Sequence, residues 1–274
     1  MTSSKFKILG DYHTHTYYSD GNTSCRENVE SALSIKMLEL GITDHGFNNP
    51  KKYALDRAKF LAQRKEIEAL REEYGSYITI LHGVEADIIG VDGTIDANPQ
   101  DISNMDLLIL GYHSFAKTLS FSDWRKLYAP SFVSGIFRPS KVTINRNTNA
   151  LISAIKKYPV DVLAHINHLL KVNCRELAKA ACDYGVYIEL NEKHISFNDD
   201  DFYDMCDTGV TFIVNSDSHR KENVANFPRV ENFINKHRLP LERIANADKL
   251  PAFKNAKISR PMFELLKSAN NLCL

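Results

Sequence analysis

The sequence predicts an α/β fold, with a parallel sheet closed into a barrel and helices packed outside it. Three observations carry this reading. Short apolar, β-branched runs recur along the chain, longer stretches of helical period separate them, and there are seven such runs. Seven parallel strands with intervening helices favour a closed barrel over an open sheet. Periodicity by itself is compatible with both.

The runs are residues 6–13, 40–44, 77–85, 106–113, 160–165, 186–191 and 210–217. Between the first two, Ser24 and Glu27 have the spacing of a capping box. Val29, Ala32, Leu33, Met37 and Leu40 mark the apolar face of that helix, and Gly41 is placed to stop it. A second helix spans about 56–74, with Phe60, Ile67, Leu70 and Tyr74 on one face and Gly75 after it. Further helices are expected near 145–157, 173–184 and 222–236. Residues 114–150 exceed an ordinary βα connection of ~2–6 residues. With Trp124, Tyr128, Phe132, Phe137 and several basic residues, they read as an elaborated loop over the site with some helix. Residues 1–274 are expected to form a single barrel domain with that one insertion.

Composition narrows the function. The chain has 274 residues, 43 % hydrophobic and 25 % charged, enough to bury a sizeable core. Lys plus Arg, at 34, equals Asp plus Glu, at 34, so no global bias toward nucleic acid or acidic membrane follows. The apolar runs fall far short of the ~20 residues of a membrane span. The start, M-T-S-S-K-F-K-I-L-G, lacks the apolar core of a secretory signal. A cytoplasmic protein without a membrane partner is expected, nucleic acid is disfavoured, and an oligomer is left open. Cys25, Cys174, Cys182, Cys206 and Cys273 are scattered with no C-x-x-C pair, and read as reduced thiols.

The ten histidines are not scattered. His13 and His15 close the first run, His45 follows G-I-T-D, and Glu85 ends the third run. His113 ends L-L-I-L-G-Y, His165 ends V-D-V-L-A, and Asp217 and His219 follow V-T-F-I-V. In a parallel barrel these strand ends converge on one face, where active sites are built. A lone histidine is more often a surface or core residue. Six of them at strand ends, with Asp20, Glu85 and Asp217, are expected to form a metal site. Imidazole and carboxylate without cysteine suit zinc, manganese or iron in a hydrolytic role. His82, mid-strand, and His237, in a late polar helix, stand apart from this set.

The order H-x-H…S-D-G, G-I-T-D-H-G, G-V-E-A, G-Y-H, A-H and S-D-S-H resembles the polymerase-and-histidinol-phosphatase (PHP) family, from about residue 8 to about residue 246. The resemblance implies a distorted (β/α)7 TIM-like barrel and a trinuclear centre of divalent ions that hydrolyses phosphate esters, with a bridging hydroxide as nucleophile. Zinc is the first expectation there, with manganese or iron as alternatives. Carried over residue by residue, it implies that His13, His15, Glu85 and Asp217 hold one ion. Glu85, His113 and His165 would hold a second, and Asp20, His45 and His219 a third. Glu85, Asp217 and His219 are the implied catalytic residues. Amidohydrolase barrels share H-x-H and a late Asp but often use a bridging lysine, and no lysine closes a strand here.

Three divalent ions less three carboxylates and a hydroxide leave a formal charge of about +2, complementary to a phosphomonoester dianion. A small phosphomonoester is the expected substrate, in a histidinol-phosphatase-like phosphatase. The alternatives are a protein-tyrosine phosphatase, a phosphodiesterase or nuclease of the same family, or a non-catalytic metal-binding module. Asn191, His194, His168 and Arg138 are the expected substrate contacts, with Glu192 a weaker candidate. Lys117, Arg125, Lys141 and Arg146 are further cations of the insertion, and Asp11 and Asp44 are candidates to orient ligand histidines.

Overall fold

A computed structural model describes residues 6–50, 52–130 and 139–257. Seven strands lie in sequence order in one all-parallel sheet. They are β1 (Gly10–Asp11), β2 (Glu39–Ile42), β3 (Thr79–Asp87), β4 (Leu107–Gly111), β5 (Val162–Leu163), β6 (Tyr187–Asn191) and β7 (Phe212–Asn215). Each falls within or across a run expected from sequence. Helices α1 (Cys25–Ser34), α2 (Arg57–Tyr74), α3 (Pro99–Ser103), α4 (Phe121–Asp123), α5 (Lys141–Lys157), α6 (Cys174–Asp183), α7 (Asp199–Asp207) and α8 (Pro228–His237) fill the connections. The arrangement is a nearly closed, distorted (β/α)7 TIM-like barrel.

Local chemistry explains most boundaries. Ser24 and Glu27 form both halves of the capping box of α1. Asp56 caps α2, which buries Phe60, Ile67 and Leu70 and ends at Gly75. Gly41 does not stop α1, which already ends at Ser34. It lies in β2, where a Cβ would come within 2.7 Å of the Tyr12 carbonyl oxygen, so glycine there permits close approach of two strands. Helix α8 begins at Pro228, later than expected, because residues 221–223 form a separate 3₁₀ turn.

The apolar interior has two parts. Tyr12, Leu81, Leu107, Ile109, Val162, Ile213 and Phe253 cluster together on the strands and the tail after α8. A larger cluster packs strand residues such as Ile42, Val84 and Leu190 against helices. The sheet does not fully close. The Thr14–Ser218 bridge joins the β1 and β7 sides at the carboxyl end, through His15 N to Ser218 O at 2.7 Å and Ser218 N to His13 O at 3.3 Å.

At the other end a short segment fills the seam. Ala245 N donates to Phe212 O at 2.7 Å, and Leu9 N donates to Asn246 O at 2.9 Å. The buried Asn246 side chain accepts from Val214 N at 3.0 Å and donates to Gly10 O at 2.8 Å and Val214 O at 2.7 Å. One amide thus substitutes for a missing strand pair. Asn246→Ala would leave these backbone groups unanswered and is expected to lower unfolding stability by about 2–4 kcal/mol. Urea denaturation followed by circular dichroism checks this, and a change under about 0.5 kcal/mol would be incompatible with the seam role.

Candidate metal centre

The carboxyl ends of the strands, and the turn after β1, bring all nine expected ligands together. Glu85 is the hub. Its Oε2 lies 2.9 Å from His45 Nδ1, 3.3 Å from His13 Nε2 and 3.7 Å from His15 Nε2. Its Oε1 lies 2.7 Å from His165 Nε2 and 3.6 Å from His113 Nε2. The side chain is fully buried, and room for it depends on Gly111, where a Cβ would stand 2.6 Å from Oε1. Asp217 Oδ1 is 3.4 Å from His15 Nε2. Asp20 Oδ1 is 3.2 Å from His219 Nε2 and 3.4 Å from His45 Nε2.

Among the described residues, three sets of donor atoms are close enough to hold an ion, each within 4.8 Å: His15, Asp20, His45 and His219; His13, His15 and Asp217; and His45, Glu85 and His113. His45 turns one nitrogen to Glu85 and the other to Asp20, and so stands between two of these sets. His13 Nε2, both nitrogens of His15, His45 Nδ1 and Glu85 Oε2 are buried without a hydrogen-bond partner. Buried polar atoms of this kind are almost always answered. Here they converge in one cluster, and divalent cations fit the donor set.

The electrostatics are those of ligands crowded together. Burial raises the Glu85 carboxyl, but the surrounding His113, His13 and His45 hold it well below the usual range. Burial likewise opposes ionisation of Asp20, yet its bonds to His219 and His45 keep it low. Burial, then His219 and His45, hold His15 well below an ordinary histidine and so keep it neutral, as a ligand must be.

Behind the ligands stand carboxylates that orient them. Glu189, in β6, was not among the expected site residues. Its Oε1 lies 2.7 Å from His13 Nδ1 and accepts from Asn215 Nδ2 at 2.9 Å. Its Oε2 accepts from His165 N and Asn191 Nδ2, both at 2.8 Å. This fixes the His13 tautomer with Nε2 free toward Glu85. Asp87 does the same for His113, accepting from its N at 2.7 Å and facing its Nδ1 at 3.0 Å. Burial, then the neighbouring Asp87, push Asp96 up to about 8.

Asp11 and Asp44 act differently from expectation, since neither meets an imidazole. Asp44 binds Thr16 N at 2.8 Å, the Thr16 and Ser19 hydroxyls and Gln63, and so holds the turn that presents Asp20. Asp11 accepts from Ser216 N at 3.0 Å and Ala225 N at 2.8 Å, and so holds the segment that carries Asp217 and His219. His165 and Asp217 adopt φ of 28° and 53°, a left-handed backbone that non-glycine residues take at a cost and that clusters at functional sites.

A cavity of about 170 Å³ opens over the ligands, lined by His45, His113, His165, Asp217 and His219 and by His168, Leu169, Lys193 and His194. The His168 and His194 rings meet at a tilt of 30° with centroids 3.9 Å apart. Burial, then His194, push His168 down to about 4. Asn191 is buried and donates to Asp217 Oδ2 at 3.2 Å. Glu192 turns away and caps α8 through Arg229 N and Val230 N. Arg138 lies outside the described residues, as do Phe132 and Phe137. None of Lys117, Arg125, Lys141 and Arg146 lines the cavity. Arg146 donates to Lys126 O. Although no lysine ends a strand, Lys193 reaches in from the loop after β6. His82 stays apart, facing Gln63, and His237 packs on Phe202 and Phe233.

The chain is 28 % identical over 272 residues to a probable phosphatase of Clostridium acetobutylicum, covering 94 % of this chain and 99 % of that one. It is 28 % identical over 225 residues to the DNA polymerase/3′-5′ exonuclease PolX of Bacillus subtilis, covering 79 % of this chain but 35 % of that one. In fold it is similar to the histidinol phosphate phosphatase of Lactococcus lactis, solved with zinc, L-histidinol and phosphate, at a TM-score of 0.59 and 16 % identity over 92 % of this chain and 99 % of that one. The PHP domain family profile matches residues 11–193, which span every expected ligand but Asp217 and His219, and the chain belongs to that family.

Proposed function

We propose that the protein is a metal-dependent phosphoric ester hydrolase acting on a small phosphomonoester. The observation that carries this is the group of unpartnered buried imidazole and carboxylate atoms around Glu85. The site residues would hold up to three divalent ions, with zinc favoured by the all-imidazole-and-carboxylate donors and manganese or iron as alternatives. Bound there, such ions supply Lewis acidity and activate water for attack on phosphorus.

The chain's own residues do the rest. Glu85 and Asp217 bring negative charge to the ligand set, while Glu189 and Asp87 fix the histidine tautomers and ring planes. Carboxylates left out of a ligand-only charge count, Glu189 and Asp87, lower the positive surplus of a loaded site. Lys193 restores part of it. The cavity is small, and only one lysine or arginine lines it among the described residues, which favours a compact dianion over a polymeric diester. The phosphatase names of the relatives, and the histidinol and phosphate in the Lactococcus structure, support the same substrate class.

Elemental analysis of the purified protein, then assays of histidinol phosphate and other monoesters against diesters and phosphotyrosine peptides, tests this. Two or three bound ions per chain with monoester turnover are expected, along with loss of activity on chelation and its return on adding the metal. Cleavage of diesters alone would overturn the substrate class, and absence of bound metal would overturn the mechanism.

A further inference from the structure

We propose that Lys193 is the phosphate-binding cation of this site, its ammonium taking a non-bridging oxygen of the substrate phosphate. This rests on the hydrolase reading above and adds a residue that the ligand pattern does not contain.

The backbone that carries Lys193 is fixed from three sides. Lys193 N and His194 N both donate to Asn191 Oδ1, at 2.9 and 3.0 Å. The neighbouring Glu192 carboxylate holds the start of α8 through Arg229 N and Val230 N at 3.0 Å. Arg229 closes the frame by donating to Lys193 O at 2.8 Å. A loop pinned in this way directs one side chain into the cavity. That side chain is 36 % exposed and lines the cavity over the ligand cluster.

Its present partners cannot both be kept by a loaded site. Lys193 Nζ is 3.1 Å from Asp217 Oδ1 and 2.7 Å from His219 Nδ1. To receive that hydrogen bond, His219 Nδ1 must be bare. Yet His219 Nε2 faces Asp20 with the other expected ligands, and Nδ1 lies 3.1 Å from the Asp217 carbonyl oxygen. A neutral histidine that ligates through Nε2 carries its proton on Nδ1 and donates it, here to that carbonyl. The ammonium then loses His219 as an acceptor and keeps at most one bond to Asp217. An ammonium has three donors. The spare ones stand beside the ligand cluster, where a phosphate would sit.

A role as a mere counter-ion to Asp217 makes a different prediction, because it would show in metal content and leave phosphate affinity alone. The discriminating experiment compares native protein with K193M, which keeps the aliphatic stem, and K193R, which keeps the charge. All are metal-loaded, titrated calorimetrically with inorganic phosphate and analysed for metal. K193M is expected to bind phosphate about tenfold more weakly or worse, with KM for a monoester raised in step and metal per chain unchanged. K193R should retain most of the affinity.

Phosphate binding by K193M within about twofold of native would overturn the assignment. So would loss of bound metal in K193M, or equal loss of phosphate affinity in both variants, which would point to packing. If the loaded native protein neither binds phosphate nor turns over monoesters, the hydrolase reading falls and this inference with it. If the native protein does both and K193M is unchanged, this inference alone falls.

Discussion

Glu85→Gln is expected to lower kcat/KM for a phosphomonoester by at least about a thousandfold, on the order of 4 kcal/mol of transition-state stabilisation, and to reduce bound metal. Five imidazoles point a nitrogen at this one carboxylate, at 2.7 to 3.7 Å. Glutamine keeps the volume and the strand packing but removes the charge that offsets the cations. It also turns an amide donor toward nitrogens that must act as acceptors. Among the described residues neither of the other acids of the set takes its place, since Asp217 pairs with His15 and His219 and Asp20 with His15, His45 and His219, and neither pairs with His113 or His165. Elemental analysis and steady-state kinetics check the prediction, with far-UV circular dichroism as the control for folding. A variant with full metal content and full activity would remove Glu85 from the centre.

Much of this centre is readable from sequence because of a geometric rule. Parallel strands end on one face, so a histidine or acid that follows an apolar run is a candidate ligand whatever its distance along the chain. The period-2 alternation also turns His13 and His15 to one side. Asp20 is legible from its short spacing to His15, although what presents it is not. Asp44 holds that turn through Thr16 and Ser19 in the loop itself and Gln63 in α2, partners distant from it in sequence.

The gaps have equally specific causes. Gly41 has the look of a helix stop, because glycine favours that position, and close packing on Tyr12 is a tertiary demand that local pattern does not carry. Helix α7 is hidden in D-D-D-F-Y-D-M-C-D, where only Phe202 and Met205 are buried and the acids resemble a solvated loop. Lys193 sits outside any strand, and its direction is set by Asn191 and Arg229, which no spacing rule links to it. Asn246 is polar, late and unremarkable in sequence, yet its amide bridges the two ends of the sheet.

Glu189 is the most consequential omission, and a signal for it existed. Tyr187, Glu189 and Asn191 alternate along β6, so Glu189 shares a face with Asn191, which was expected to line the site. A charged residue inside an apolar strand is costly unless answered. Here four groups answer it: the ring of His13, the backbone of His165 and the amides of Asn191 and Asn215. Burial raises its carboxyl, and His13 outweighs that to leave it below the ordinary range.

Glu189→Gln is therefore expected to act on two readouts at once. Loss of an accepting oxygen leaves one of four donors unmet, lowering unfolding stability by about 1–3 kcal/mol. Loss of the charge frees the His13 ring and the backbone turn at His165, weakening metal affinity by about 10- to 100-fold. Competitive metal titration against a chelator and urea denaturation of the metal-free form separate the two effects. Lower stability with native metal affinity would make Glu189 a packing residue only. Weaker metal binding that persists when the stability loss is allowed for would place the control of His13 and His165 in β6, the one strand with no expected ligand of its own.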